Sequence, residues 1–254
     1  MSDAPRRHVT PAAVRASPTV EPVAERIVAV GLVLALVAAV GQTIVGLVNG
    51  LVFDGRYGQL DLDREFNVFA WASSAATFAA AFAALLAAIA LDEARAHWAT
   101  LAAILAFFSA DDLLVLHERL TRRLFVGVFD LPVGVGARLF AVLFLPLLLA
   151  AFLILLAAAR QASGRPRRAL AAGLGCLVVA VLLEILNGAL SALDRIAFRS
   201  PEEVILVALE EGLELAGWTL IAAALAALVA IGLVELGSSQ ASRDGTTLSQ
   251  PGRS

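Results

Sequence analysis

The sequence predicts an all-α, polytopic membrane helical bundle of about six transmembrane helices, and three observations predict it. Hydrophobic residues make up 60% of the 254-residue chain and charged residues only 16%. Mean hydropathy is +0.85, outside the range of ordinary soluble domains. Apolar runs recur, each near the ~20 residues a helix needs to cross a ~30 Å hydrocarbon core.

Residues 1–25, rich in Pro, Ala and Arg without an apolar period, read as a disordered tail. The first span, 27–53, is too long for a signal-peptide core and reads as a retained helix. The polar stretch "DGRYGQLDLDREF" turns the chain into a second span, 67–91. "DEARAH" connects it to a third, 98–120. Residues 121–138 hold three glycines and a proline and are expected to lie as a loop in the interface. The fourth span, 139–159, contains Pro146, which a membrane helix tolerates as a kink. After the loop "RQASGRPRR" come a fifth span, 169–193, the loop "DRIAFRSPEE", and a sixth span, 204–236. Ser200 suits an N-cap and Pro201 the first turn of that last helix. Residues 237–254, rich in Ser, Gly, Arg and Gln, read as a second disordered tail. No soluble domain and no internal repeat is evident.

Composition narrows the function classes. The single cysteine, Cys176, excludes an intramolecular disulfide and a cysteine-based zinc cluster, and its apolar surroundings suit a small core residue. All 19 basic residues are Arg, a usage that matches a GC-rich coding bias. They are scattered among loops with no basic face, so no nucleic-acid partner is expected. Six spans put both termini on one side; four Arg ahead of the first span (residues 1–26) and four at 160–168 favour the cytoplasm of a bacterial inner membrane. Membrane lipids are the expected partners, and glycine-rich faces such as "AAGLGC" suit close helix packing or a homo-oligomer.

The informative feature is depth. In six antiparallel spans, the C-terminal halves of spans one, three and five share a leaflet with the N-terminal halves of spans two, four and six. The polar residues obey that rule: Gln42 and Asn49; Ser73, Ser74 and Thr77; Asp111, Asp112, His117 and Glu118; Glu184, Asn187 and Ser191; Glu203, Glu210, Glu211 and Glu214. The opposite half is almost pure Ala, Leu, Val and Ile. At ~100° per residue, Glu203, Glu210 and Glu214 fall on one stripe, and Asp111 and Glu118 share a face one heptad apart. An acid facing lipid costs ~3 kcal/mol or more, so these groups are expected to converge, pair, be protonated or bind a cation. Some have structural readings: Glu118 with Arg122 as an i,i+4 pair, His117 as a hydrogen-bonded interfacial group, Glu203 in a first turn.

"DDLLVLHERL" followed later by "EEGLELAGW" resembles a pattern in uncharacterised multi-pass membrane proteins of GC-rich bacteria. There an acidic pair precedes Leu-His-Glu, and Glu-Glu-x-x-Glu-x-x-Gly lies on the last helix; here those positions are Asp111, Asp112, His117 and Glu118, then Glu210, Glu211, Glu214 and Gly217. The resemblance implies a helical membrane body and no known activity. The chain lacks the histidines of ceramidase-like membrane hydrolases.

The expected chemistry is a divalent cation held by Asp111, Asp112, Glu184, Glu210, Glu211 and Glu214, with Gln42, Asn49 and Asn187 as polar lining. All-oxygen ligation favours Mg²⁺, Ca²⁺ or Mn²⁺, and a single nearby histidine argues against catalytic zinc. One function class is a metal-dependent intramembrane enzyme acting on a lipid-like substrate, with His117 and Glu118 as acid/base groups. The alternatives are a proton- or cation-binding transporter or channel-like protein, or a non-catalytic membrane protein whose polar network fixes helix register.

Overall fold

The computed structural model describes residues 21–62, 66–91, 94–130 and 133–247. The tail expected over 1–25 therefore lies outside the described residues up to residue 20, as does residue 248 onward of the C-terminal tail. Among the described residues there is no strand. The helices are α1 (Glu21–Leu47), α2 (Val68–Ala90), α3 (Arg95–Leu114), α4 (Leu116–Leu120), α5 (Val133–Gln161), α6 (Gly164–Ala192) and α7 (Pro201–Thr247). Six are long and apolar enough to cross a membrane; the shortest, Arg95–Leu114, has 20 residues, about 30 Å at 1.5 Å per residue. Large apolar side chains cover their outer faces: Val33, Leu36 and Val37 on α1, and Leu182 and Ile185 on α6, are all exposed. Lipid is the solvent that such a surface fits. The chain has the build of a multi-pass membrane protein.

Element ends depart from expectation in several places. α1 starts at Glu21, within the stretch expected as a tail, and α6 at Gly164, ahead of the expected 27 and 169. A π-helical turn, Val48–Val52, prolongs α1 to the end of its apolar run. Residues 121–138 are not one loop: Thr121–Val126 form a second π-helical turn, and α5 starts at Val133. Glycine is common within membrane helices, so Gly134 and Gly136 do not stop one. At the other end α7 runs to Thr247, past the expected stop at 236, since a formed helix propagates cheaply through residues that carry no proline. Lastly, the third span is broken. Val115 adopts the left-handed conformation (φ 53°) and separates α3 from α4.

Two ion pairs fix the antiparallel order. Arg165 at the start of α6 meets Glu25 at the start of α1 at 3.3 Å. Arg199, before α7, meets Asp61, between α1 and α2, at 2.8 Å. These pairs mark opposite ends of the bundle, as the depth rule requires.

α7 is the central helix and packs against α1, α2 and α6. Small residues allow the close approach. A Cβ placed on Gly31 of α1 would collide with the Cβ of Ala223 on α7. On the other flank, a Cβ on Gly173 of α6 would lie 2.9 Å from the Gly217 carbonyl oxygen, so here backbone meets backbone. Gly173 belongs to the "AAGLGC" stretch expected to pack closely. The apolar half is filled by Ala80, Ala84, Leu101, Leu155, Leu170, Ile221 and Leu225, all but fully buried.

Candidate functional site

Within the polar half, α7 carries the key acid. Glu214 is one turn before Trp218, whose indole Nε1 donates to Glu214 Oε1 at 3.2 Å. Ser73 of α2 donates its hydroxyl to the same oxygen at 3.4 Å. Both partners are neutral, and among the described residues no arginine or histidine pairs with this carboxylate. Glu184 of α6, itself exposed, is an acid close enough to interact with it, so acids on α6 and α7 neighbour one another.

The serines of α2 serve two purposes. Ser73 turns to α7, whereas Ser74 turns to α3: its Oγ donates to the Ser109 carbonyl at 2.8 Å, and Ser109 Oγ returns a bond to the Ser74 carbonyl at 2.9 Å. Each hydroxyl hydrogen is thereby used, and the pair clamps α2 to α3 without a charge. Thr77 bonds back to its own helix, to the Ser73 carbonyl, at 3.0 Å.

α1 meets α7 through Thr43, whose hydroxyl donates to the Ala208 carbonyl at 3.1 Å, and Gly212 sits directly against Thr43 and Ala39. On the outer side of that contact, Ile44, Leu209 and Leu213 help line an apolar groove. Gln42 and Glu211 each precede a contact residue on antiparallel helices. A step of about −100° on both turns them to the same, bundle-facing side. Gln42 is only 4% exposed, and neither Oε1 nor Nε2 has a hydrogen-bond partner among the described residues. That is unusual, because a buried amide left unpaired costs about 1–3 kcal/mol.

Nearer the membrane surface the polar groups are structural. Asn49 grips the connecting loop with both ends of its amide: Nδ2 donates to the Tyr57 carbonyl at 3.2 Å, and Oδ1 accepts from the Tyr57 amide at 3.1 Å. Asn67 caps α2 by accepting from Ala70 N at 2.7 Å and donates to the Asp61 carbonyl at 2.9 Å. Ser200 accepts from Glu203 N at 3.3 Å, the expected N-cap of α7. The Glu203 carboxylate returns to the Arg199 amide, one residue beyond the usual capping-box partner. Beneath this loop lies a cavity of about 20 Å³ edged by Asn49, Asp54, Asp61 and Arg199, room for a single water.

Of the expected site residues, then, Gln42 and Glu211 share a level through the Thr43 contact, Glu210 precedes them on α7 and Glu214 lies one turn further along it. Glu184 and Asn187 sit opposite on α6; Asn187 Oδ1 is buried and has no hydrogen-bond partner among the described residues. Asn49 holds the loop at Tyr57. Asp111 and Asp112 are half-buried, and both are engaged by neighbours, as are Glu210 and Glu211. The left-handed Val115 interrupts the helix between Asp111 and Glu118. The side chains of His117 and Glu118 lie outside the described residues. Among the described residues, no three His, Cys, Asp or Glu side chains gather closely enough to enclose a metal by themselves. Sequence reasoning missed Trp218, although its i,i+4 spacing from Glu214 was a visible signal. It also missed Asp61 with Arg199, whose pairing joins loops 138 residues apart.

A family model described as a domain of unknown function (DUF8692) matches residues 26–229, most of the helical body. No curated protein and no solved structure matches the chain.

Proposed function

The chain belongs to the DUF8692 family, and from that premise we propose that it is a membrane protein that binds a cation at Glu214, in the polar half of its bundle. One observation carries the reading. A carboxylate inside an apolar bundle is held only by neutral donors, Ser73 and Trp218, with a second acid, Glu184, close by. Such a group is costly unless its charge is balanced. A cation from solution supplies what arginine does not. The filling of the other half by Ala and Leu favours a binding site over a conducting path. A catalytic role would further require His117 or Glu118 beside the ion, and the proposal is confined to binding.

The test is thermal unfolding of the detergent-purified chain in Mg²⁺, Ca²⁺, Mn²⁺ or Na⁺ against choline, for the parent and Glu214→Gln. A cation at 100 times its Kd should stabilise the parent by about 2.7 kcal/mol and leave the variant unmoved. A parent indifferent to every cation, with Glu214→Gln at least as stable, would make Glu214 a protonated structural acid and overturn the reading. Stoichiometric metal in the parent, absent from a Glu211→Gln/Glu214→Gln variant, would extend it toward an intramembrane enzyme and justify screening lipid substrates.

A further inference from the structure

Gln42 has no structural reason to be where it is. It sits 4% exposed between helices, with both amide atoms unpartnered among the described residues, while Asn49, Asn67, Ser74 and Ser109 at similar burial are all satisfied. Its place is fixed by Thr43, which contacts Ala208 and Gly212 of α7. That contact sets Gln42 level with Glu211, and Glu214 follows one turn on, ~5 Å of rise and about 60° farther round α7. Gln42 and Glu211 turn to the same side of the α1–α7 contact, the side away from the apolar groove.

The amide has two needs. Oε1 wants a donor or a cation, and Nε2 wants an acceptor. A bare ion would satisfy only the oxygen. An ion that keeps part of its water shell satisfies both, because an outer-shell water held by the coordinated ones can accept from Nε2. The ligand count agrees: two carboxylates one turn apart, one amide and the Ser73 hydroxyl are too few to strip an ion of water. Calcium is usually bound by six to eight oxygens, whereas magnesium dehydrates reluctantly and is held through one or two carboxylates with several waters retained. We propose that Gln42, Glu211 and Glu214 form a binding site for a partly hydrated divalent cation of the magnesium class. This rests on cation binding at Glu214 and adds the ligand class and Gln42.

Trp218 reports on the site, since its indole donates to Glu214. The chain has three tryptophans, so a Trp71→Phe/Trp98→Phe background isolates the signal. The full-length protein in detergent is titrated with MgCl₂, CaCl₂ or NaCl, with choline chloride holding ionic strength constant. A saturable change in Trp218 emission with Mg²⁺ is expected, at a lower midpoint than for Ca²⁺ and with no response to Na⁺. Gln42→Leu should raise the Mg²⁺ midpoint at least tenfold while raising Tm in choline, because it removes an unpartnered amide. Gln42→Met serves if leucine does not pack. Gln42 variants with a midpoint within twofold of the parent, while Glu214→Gln abolishes the response, would overturn the assignment of Gln42 and leave cation binding intact. A tighter response to Ca²⁺ or Na⁺ would overturn the hydrated-magnesium class. No response to any ion would overturn both readings.

Discussion

Val115 shows how much one residue's conformation decides. A β-branched side chain at φ 53° is strained, by about 1–2 kcal/mol. It is also 96% buried, being 4% exposed, which holds it there. Val115→Gly therefore has a diagnostic sign. In an unbroken helix it would lose about 0.3–0.5 kcal/mol of helix propensity, Val already being a poor helix former, and about 1.5 kcal/mol or more of burial. At the observed break, relief of the strain offsets the lost burial, and the change in unfolding free energy should stay within about 1 kcal/mol of zero. Chemical denaturation in mixed micelles measures it, and a loss of 2–3 kcal/mol would mean that α3 and α4 are one helix. Ala94, exposed and at φ 60° before α3, lacks the compensating burial. Ala94→Gly should therefore stabilise by about 0.5–1 kcal/mol, seen as a higher Tm. Neither conformation was legible in the sequence. No glycine or asparagine marks either turn, and "DDLLVLHERL" reads as continuous helix.

Among the elements, what the sequence made legible was set by bilayer physics. Each span had to hold some twenty apolar residues, so the spans at 67–91 and 169–193 are close to α2 and α6. Their order followed from short loops, and the polar half from the cost of placing acids against lipid. The two π-helical turns, and the spacing of α1, α6 and α7, depend on contacts between distant residues that no local pattern encodes. Glycine is the instructive case, since Gly31 and Gly41 lie on the same helix with opposite roles. A Cβ on Gly31 would strike that of Ala223, a rigid partner, whereas nothing lies within 4 Å of one on Gly41. Gly31→Ala should force α1 from α7 and cost about 1–3 kcal/mol by overpacking. Gly41→Ala should gain about 0.5–1 kcal/mol from helix propensity alone. Paired denaturation curves read the contrast, and equal effects at both positions would mean that α1 does not cross α7 at Gly31.

Taken as one body, the molecule is asymmetric across its thickness. An all-but-inert apolar half is topped by a polar half, and the polar half is roofed by loops. The sequence displayed the asymmetry plainly through the depths of Glu184, Glu210 and Glu214, but the roof only appears when chain-distant loops are brought together. Asn49 grips Tyr57, Asn67 holds the Asp61 carbonyl, and the Asp61 carboxylate pairs with Arg199 next to the capped start of α7. Asp61 is largely buried in this pair while Arg199 keeps about a third of its side chain in contact with solvent, 7% against 34% exposed. That partial exposure moderates the 3–5 kcal/mol typical of breaking a fully buried pair. Asp61→Asn and Arg199→Gln should each cost about 1–2 kcal/mol, and the double variant less than their sum, with a coupling of about 0.5–3 kcal/mol. Opening of the roof has its own readout. Val207 edges the small cavity beneath the loop, so Val207→Cys in a Cys176→Ala background places a lone thiol under it. If the pair contributes about 1.4 kcal/mol to closure, its loss raises the open fraction about tenfold. A water-soluble maleimide should then label that thiol about ten times faster in Asp61→Asn than in the parent. Unchanged labelling alongside lowered stability would mean that the pair braces the loops without governing entry, and that access to Glu214 runs between the helices instead.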